Sequence, residues 1–65
     1  MKKLYMVEQF WDAGTIIPVR SVVEAKNEAA AEILAPAAIV EAVKVLTGGT
    51  VVGKPHGKAI VVGEM

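Results

Sequence analysis

Between Asn27 and Gly49 the chain carries its only helical pattern, and that stretch limits what the rest can fold into. Asn27 is a natural N-cap, and Glu28 sits at the positive end of the helix dipole. Residues 28–35 read as a first helical piece. Pro36 lacks an amide hydrogen and disfavours helical geometry at Ala35, so an unbroken ideal helix is not expected there. Either the helix kinks, or a second one begins with Pro36 at its first position; the pattern favours the second, over 36–47. Ile39, Val40, Val43 and Leu46 form one apolar stripe, with Glu41, Lys44 and Thr47 mostly opposite. Ala29, Ala30, Ala37, Ala38 and Ala42 allow close approach to a sheet, and Gly48 or Gly49 supplies the C-terminal cap.

The flanking segments read as strands that need this helix as cover. Lys3 to Trp11 is a first strand, free of Gly and Pro. Trp11-Asp12-Ala13-Gly14 is a turn, with Gly14 free to take positive φ. Thr15 to Ala25 is a second, β-branched strand, and Pro18 makes it an edge or bulged strand. Pairing Trp11 with Thr15 sets Gln9 against Ile17, Val7 against Val19 and Tyr5 against Ser21. One face then holds Tyr5, Val7, Trp11, Ile17, Val19, Val23 and Ala25. The other holds Leu4, Met6, Phe10, Ile16 and Val22, with Glu8 and Arg20 among them. A half-solvated hairpin has one polar face; here both are apolar. Residues 50–54 and 58–63 read as two more strands joined by a Lys54-Pro55-His56-Gly57 turn, with Val52 facing Ile60 and Val51 facing Val61. The expected fold is a single small α+β domain over 1–65, in ββαββ order, with antiparallel hairpins packed on one helix broken at Pro36.

Composition bears on the need for a partner. A chain of 65 residues buries only about 60% of its unfolded surface and folds with little margin. It has no cysteine, which removes disulfides and thiolate metal sites, and its single histidine, His56, cannot build a His-rich metal centre. No cofactor is expected. What is left is an efficient core or association, and 54% of the residues are hydrophobic. Seven Lys/Arg balance seven Asp/Glu, so the chain lacks the basic excess that marks a nucleic-acid binder. Glu8 and Asp12 interrupt any leader-like apolar run behind Lys2-Lys3, and no run approaches the roughly 18 apolar residues of a membrane span. A cytoplasmic protein is the expectation.

The run Val22-Val23-Glu24-Ala25-Lys26-Asn27-Glu28-Ala29-Ala30-Ala31 resembles the strand-to-helix junction of small ββα accessory proteins of phage and prophage origin. The resemblance covers the first half of the chain. It implies a short protein that acts by binding, and it brings no catalytic residues.

Candidate chemistry is sparse. Lys54, His56, Gly57 and Lys58 could bind a phosphate or carboxylate, although a polar hairpin tip explains the same residues. Glu28 and Glu32, one helical turn apart, read as a solvated face rather than paired catalytic acids. Ser21 has no His or Asp near it in sequence. Tyr5, Phe10 and Trp11 with Lys3 and Arg20 could form a stacking platform for single-stranded nucleic acid, but alternation turns Phe10 away from the other two.

A further expectation concerns surface. One helix covers one face of a small sheet, which leaves Leu4, Met6, Phe10, Ile16 and Val22 uncovered. The expected partners are a second copy, as homodimer or higher oligomer, or a host protein. The leading functional reading is a non-catalytic protein-binding accessory or inhibitor, with phage origin suggested by the resemblance. The alternatives are a nucleic-acid-binding module using Lys2, Lys3, Arg20, Lys54 and Lys58, and a small oligomeric enzyme or anion binder using the 54–58 segment.

Overall fold

The computed structural model describes all 65 residues, Met1–Met65. Three strands and one helix follow in the order β1 (Lys3–Asp12), β2 (Ile16–Ala25), α1 (Glu28–Leu46) and β3 (Lys54–Glu64). The strands form one antiparallel sheet with β1 in the middle, flanked by β2 and β3. The small α+β class is as expected; the order is ββαβ, because the two C-terminal strands are one. No helix is long and apolar enough to cross a membrane.

The β1–β2 hairpin pairs Asp12 with Ile16, Trp11 with Ile17, Gln9 with Val19 and Tyr5 with Val23. The turn therefore begins one residue later than expected, at Asp12, whose Oδ1 accepts a hydrogen bond from the Gly14 amide at 3.1 Å. Gly14 takes φ +93°. Starting later by one on each strand moves every pairing by two. Side chains alternate with period two, so the contents of both faces survive the change.

The expected turn at 54–57 is corrected to strand. Lys54, Pro55 and His56 pair with Asp12, Trp11 and Phe10, whereas Ile60 and Val61 pair with Glu8 and Val7. Three residues of β3 thus lie opposite Gln9 alone, and a second irregularity falls at Val62. Gly57, at φ +84°, is a bulge glycine rather than the close of a turn. Pro55 is tolerated because β3 is an edge strand. Residues 50–52, expected to pair with 60–61, form a connection outside the sheet.

The helix is also corrected: α1 runs unbroken from Glu28 to Leu46 with Pro36 inside it. Asn27 caps it as expected, with extended backbone and Oδ1 accepting from the Ala30 amide at 2.8 Å. At the other end Thr47 is the cap residue, its hydroxyl donates to the Val43 carbonyl at 2.8 Å, and Gly48 and Gly49 both take positive φ. The buried stripe is Ala31, Ala35, Ile39 and Val43. Each four-residue step turns about 400°, so this stripe slants across the helix as it crosses the strands. Two alanines at its N-terminal end bring the helix axis close to the sheet. Ile39 and Val43 belong to the stripe read from sequence, Val40 is half-buried, and Leu46 is exposed.

From the sheet side, Tyr5, Val7, Trp11, Val19, Val23 and Ala25 complete the core, and Ala59 and Val61 of β3 pack against it. Only 11 of 65 residues are buried. One of them is Gln9, the sole polar member.

Candidate functional site

The face of the sheet turned away from α1 is a register-defined grid. Across β3, β1 and β2, its rows are Lys54–Asp12–Ile16, His56–Phe10–Pro18, Ile60–Glu8–Arg20, Gly63–Met6–Val22 and Leu4–Glu24. Nothing in the chain covers it. Leu4, Phe10, Ile16, Val22 and Ile60 are each 43–47% exposed. The five residues read from sequence as an interface, Leu4, Met6, Phe10, Ile16 and Val22, are all on this face. Ile60 joins them, which sequence reasoning missed because it placed Ile60 in a separate hairpin. These apolar residues share the face with Lys54, Asp12, His56, Glu24 and, near its centre, an ion pair in which Arg20 Nε donates to Glu8 Oε2 at 2.7 Å. Arg20 Nη1 also approaches Met6 Sδ at 4.0 Å.

The possible anion-binding residues are not gathered at a loop tip. Lys54 and His56 are in β3 on the grid, opposite Asp12 and Phe10. Gly57 turns its carbonyl to Gln9, whose Nε2 donates to it at 2.9 Å. Lys58 lies on the other side of the sheet, on a groove between α1 and β3. The groove has a volume of about 520 Å³ and is lined by Gln9, Ala29, Glu32, Ile33, Pro36, Lys58 and Ala59. Gln9 is buried there, and its Oε1 has no hydrogen-bond donor. The orientation of this amide is fixed, because the Gly57 carbonyl accepts only from the NH₂ end.

The stacking platform is overturned. Tyr5 and Trp11 are core residues, 3% and 2% exposed, and Phe10 stands alone on the outer face. Trp11 also spends its indole N–H inside the fold, donating to the Val52 carbonyl at 2.7 Å. The basic residues are dispersed: Arg20 pairs with Glu8 on the outer face, and Lys3 pairs with Glu64 at 3.3 Å. The hydrogen bond that Lys3 donates to Glu64, and then the charge of Glu64, raise the Lys3 pKa above its usual 10.5.

Phe10 and Ile16 owe their exposure to local rules. Alternation along β1 puts Trp11 and Gln9 inward and forces Phe10 outward. Ile16 opens β2 opposite Asp12, on the same side. An ordinary solvated face would carry polar residues at Phe10 and Ile16 as well as at their neighbours Asp12, Lys54 and His56. No protein-family model matches the chain, and no curated protein or solved structure matches it either.

Proposed function

We propose that this chain is a small non-catalytic binding protein, an accessory or inhibitor, that docks the uncovered face of its sheet onto a protein partner. The observation that carries this reading is the grid: Leu4, Phe10, Ile16, Val22 and Ile60 stand 43–47% exposed on one continuous side of three paired strands. Monomeric soluble proteins rarely leave such a set of large apolar side chains bare, and apolar residues set among charged ones have the make-up of a docking surface. The resemblance of the Val22–Ala31 junction to phage-type ββα accessory proteins agrees with a role in binding.

The test is affinity capture from a host lysate, with and without nuclease, using the native chain and Phe10→Glu as baits. A stoichiometric protein retained through nuclease and lost with Phe10→Glu is the expected result. Material released by nuclease would move the function to nucleic acid. Capture that Phe10→Glu leaves intact would place the contact elsewhere on the molecule.

A further inference from the structure

We propose that the open edge of β2 recognises its own copy: two chains pair β2 against β2, antiparallel, about a two-fold axis at Val22, and join their three-stranded sheets into one. The contact lies on the edge of the sheet and does not depend on what docks on its face.

The two edges differ. β3 meets β1 with two irregularities and carries Pro55 and Gly57. β2 meets β1 in an unbroken register, and its one proline, Pro18, is third from its start. Residues 19–25 are therefore a regular edge without proline or bulge. Natural sheets usually obstruct such an edge, because its unpaired N–H and C=O groups template another strand. Which groups point outward follows from the hairpin end. The Ala13 amide donates to the Thr15 carbonyl at 3.2 Å, so alternation makes Trp11–Ile17, Gln9–Val19, Val7–Ser21 and Tyr5–Val23 the hydrogen-bonded pairs. Arg20, Val22 and Glu24 then turn amide and carbonyl to the open edge. Pro18 shares their parity, so its missing amide hydrogen costs the sheet nothing.

Charge selects the partner strand. Arg20 and Glu24 stand two residues either side of Val22, all three exposed on one face. Glu24 has no ion pair within its own chain. Arg20 spends Nε on Glu8 and approaches Met6 with Nη1, which leaves Nη2 free. Pairing about Val22 sets Arg20 opposite Glu24 of the second copy, Glu24 opposite its Arg20, and Val22 against Val22. Pro18 falls opposite Lys26, beyond the end of β2. Neighbouring registers lose this match. Centring on Arg20 or Glu24 opposes like charges, centring on Val23 opposes Arg20 to Lys26, and centring on Ser21 brings Pro18 into the ladder against Glu24. A second copy carries this charge order by construction; an unrelated strand does not.

The helix supplies a second seam. A two-fold axis through a hydrogen-bonded pair stands perpendicular to the sheet, so both helices lie on one side of it. Each helical residue turns about 100°. Glu32 and Pro36, one residue after buried Ala31 and Ala35, line the groove towards β3. Leu34 and Ala38, one residue before buried Ala35 and Ile39, face the other way, towards the β2 edge, and Glu41 and Val45 continue that flank. Leu34 is 48% exposed and Val45 81%. With strands about 4.8 Å apart, a helix axis seated between β2 and β1 stands about 5 Å from the seam. Two helices are then about 10 Å apart, within the about 8–10 Å of packed helices. The second copy thus covers Leu34 and Val45, and Glu41 between them is already paired with Lys44 at 3.4 Å.

Sedimentation equilibrium of the native chain is expected to give twice the single-chain mass of 6.8 kDa. Hydrogen exchange is expected to show the Arg20, Val22 and Glu24 amides protected, with the protection lost on dilution. Val22→Pro removes an outward amide and no β1–β2 bond, and is expected to be folded by circular dichroism and monomeric. Glu24→Arg and Arg20→Glu each oppose like charges and are expected to weaken the dimer at least about tenfold, since two attractive cross-strand pairs become repulsive. Mixed, they are expected to form a one-to-one heteromer by native mass spectrometry, because both pairs are again of opposite sign. Phe10→Glu is expected to keep the doubled mass. If Val22→Pro or Arg20→Glu loses its fold, the concentration dependence of amide exchange in the native chain decides. A native chain that stays at the single-chain mass overturns the proposal. So does a dimer whose three edge amides exchange freely, one that a folded Val22→Pro leaves intact, or one that Phe10→Glu breaks while Val22→Pro does not.

Discussion

Gly53→Ala tests the joint between the connection after α1 and the central strand. Gly53 takes φ +90°, and a Cβ built there would collide with the Asp12 carbonyl oxygen and stand 2.8 Å from Trp11 Nε1. The Asp12 backbone is held on both sides, by Ile16 and Lys54, and cannot retreat. The 52–53 segment must therefore lift, and Trp11 loses its bond to the Val52 carbonyl. The left-handed backbone costs about 1–2 kcal/mol, and a stranded buried indole N–H costs about 1–3 kcal/mol more. A domain of this length has only about 3–10 kcal/mol of stability, so the sum of roughly 2–5 kcal/mol removes much of it. Gly14→Ala is the matched control, since Gly14 has φ +93° and nothing within 4 Å of its would-be Cβ. It is expected to lose only the backbone contribution, about 1–2 kcal/mol. Urea unfolding followed by Trp11 fluorescence gives both values. Equal losses in the two variants would refute the reasoning, because the contact with Asp12 and Trp11 would then contribute nothing.

Asn27→Ala removes the acceptor for the Ala30 amide and is expected to cost about 1 kcal/mol, with Asn27→Asp close to native; a change below about 0.3 kcal/mol in the alanine variant would remove the cap from the account. Pro36→Ala restores an amide hydrogen inside a helix that is already continuous, and is expected to raise stability by about 1–3 kcal/mol. A fall in its urea midpoint would mean that the proline ring contributes more by lining the groove than it costs the helix. The Lys3–Glu64 pair has a pH signature. Because folding raises the Lys3 pKa, the contribution of the pair is fully present below pH 10.5 and fades as pH rises through the folded-state value. The stability difference between the native chain and Glu64→Gln should therefore be small and flat on the neutral side and shrink above pH 10.5. A difference that stays constant into strong alkali would show that Glu64 acts through something other than Lys3.

The parts of the fold legible in the sequence were those fixed by period and by caps. The inward set Tyr5, Val7, Trp11, Val19 and Val23, and the outward set Leu4, Met6, Phe10, Ile16 and Val22, followed from alternation, and a register error of two residues could not disturb them. Asn27 announced the helix start by its capping chemistry. What stayed hidden were features whose local chemistry serves two structures. Pro55 and Gly57 suit a turn and equally an edge strand with a bulge, and only the pairing of β3 with the distant β1 decides between them. Pro36 opposes a helix locally, but the buried stripe continuing from Ala31 and Ala35 to Ile39 and Val43 overrides it. Gln9 looked like an ordinary strand residue, and its burial depends on the bulge opposite. The anion-binding candidates fell apart for the same reason: once 54–58 is strand, alternation and the bulge divide Lys54 and His56 from Lys58.

The central place of β1 has a consequence for the order of folding. One of the two neighbours of β1 follows it directly and the other comes only after α1, with Tyr5 paired to Glu64 and the Met65 amide donating to the Leu4 carbonyl at 2.8 Å. Before β3 docks, the chain can close only the β1–β2 hairpin and lay α1 on it. During that interval one whole side of β1 is an open hydrogen-bonding edge, the Gln9 amide and the Trp11 indole have no acceptors, and the apolar sheet face is already formed. Such intermediates are the ones that aggregate or recruit chaperones. The exposed intermediate therefore persists until the eleven-residue strand β3 reaches β1, and substitutions that weaken the β1–β3 pairing should raise aggregation during refolding more than those that weaken β1–β2.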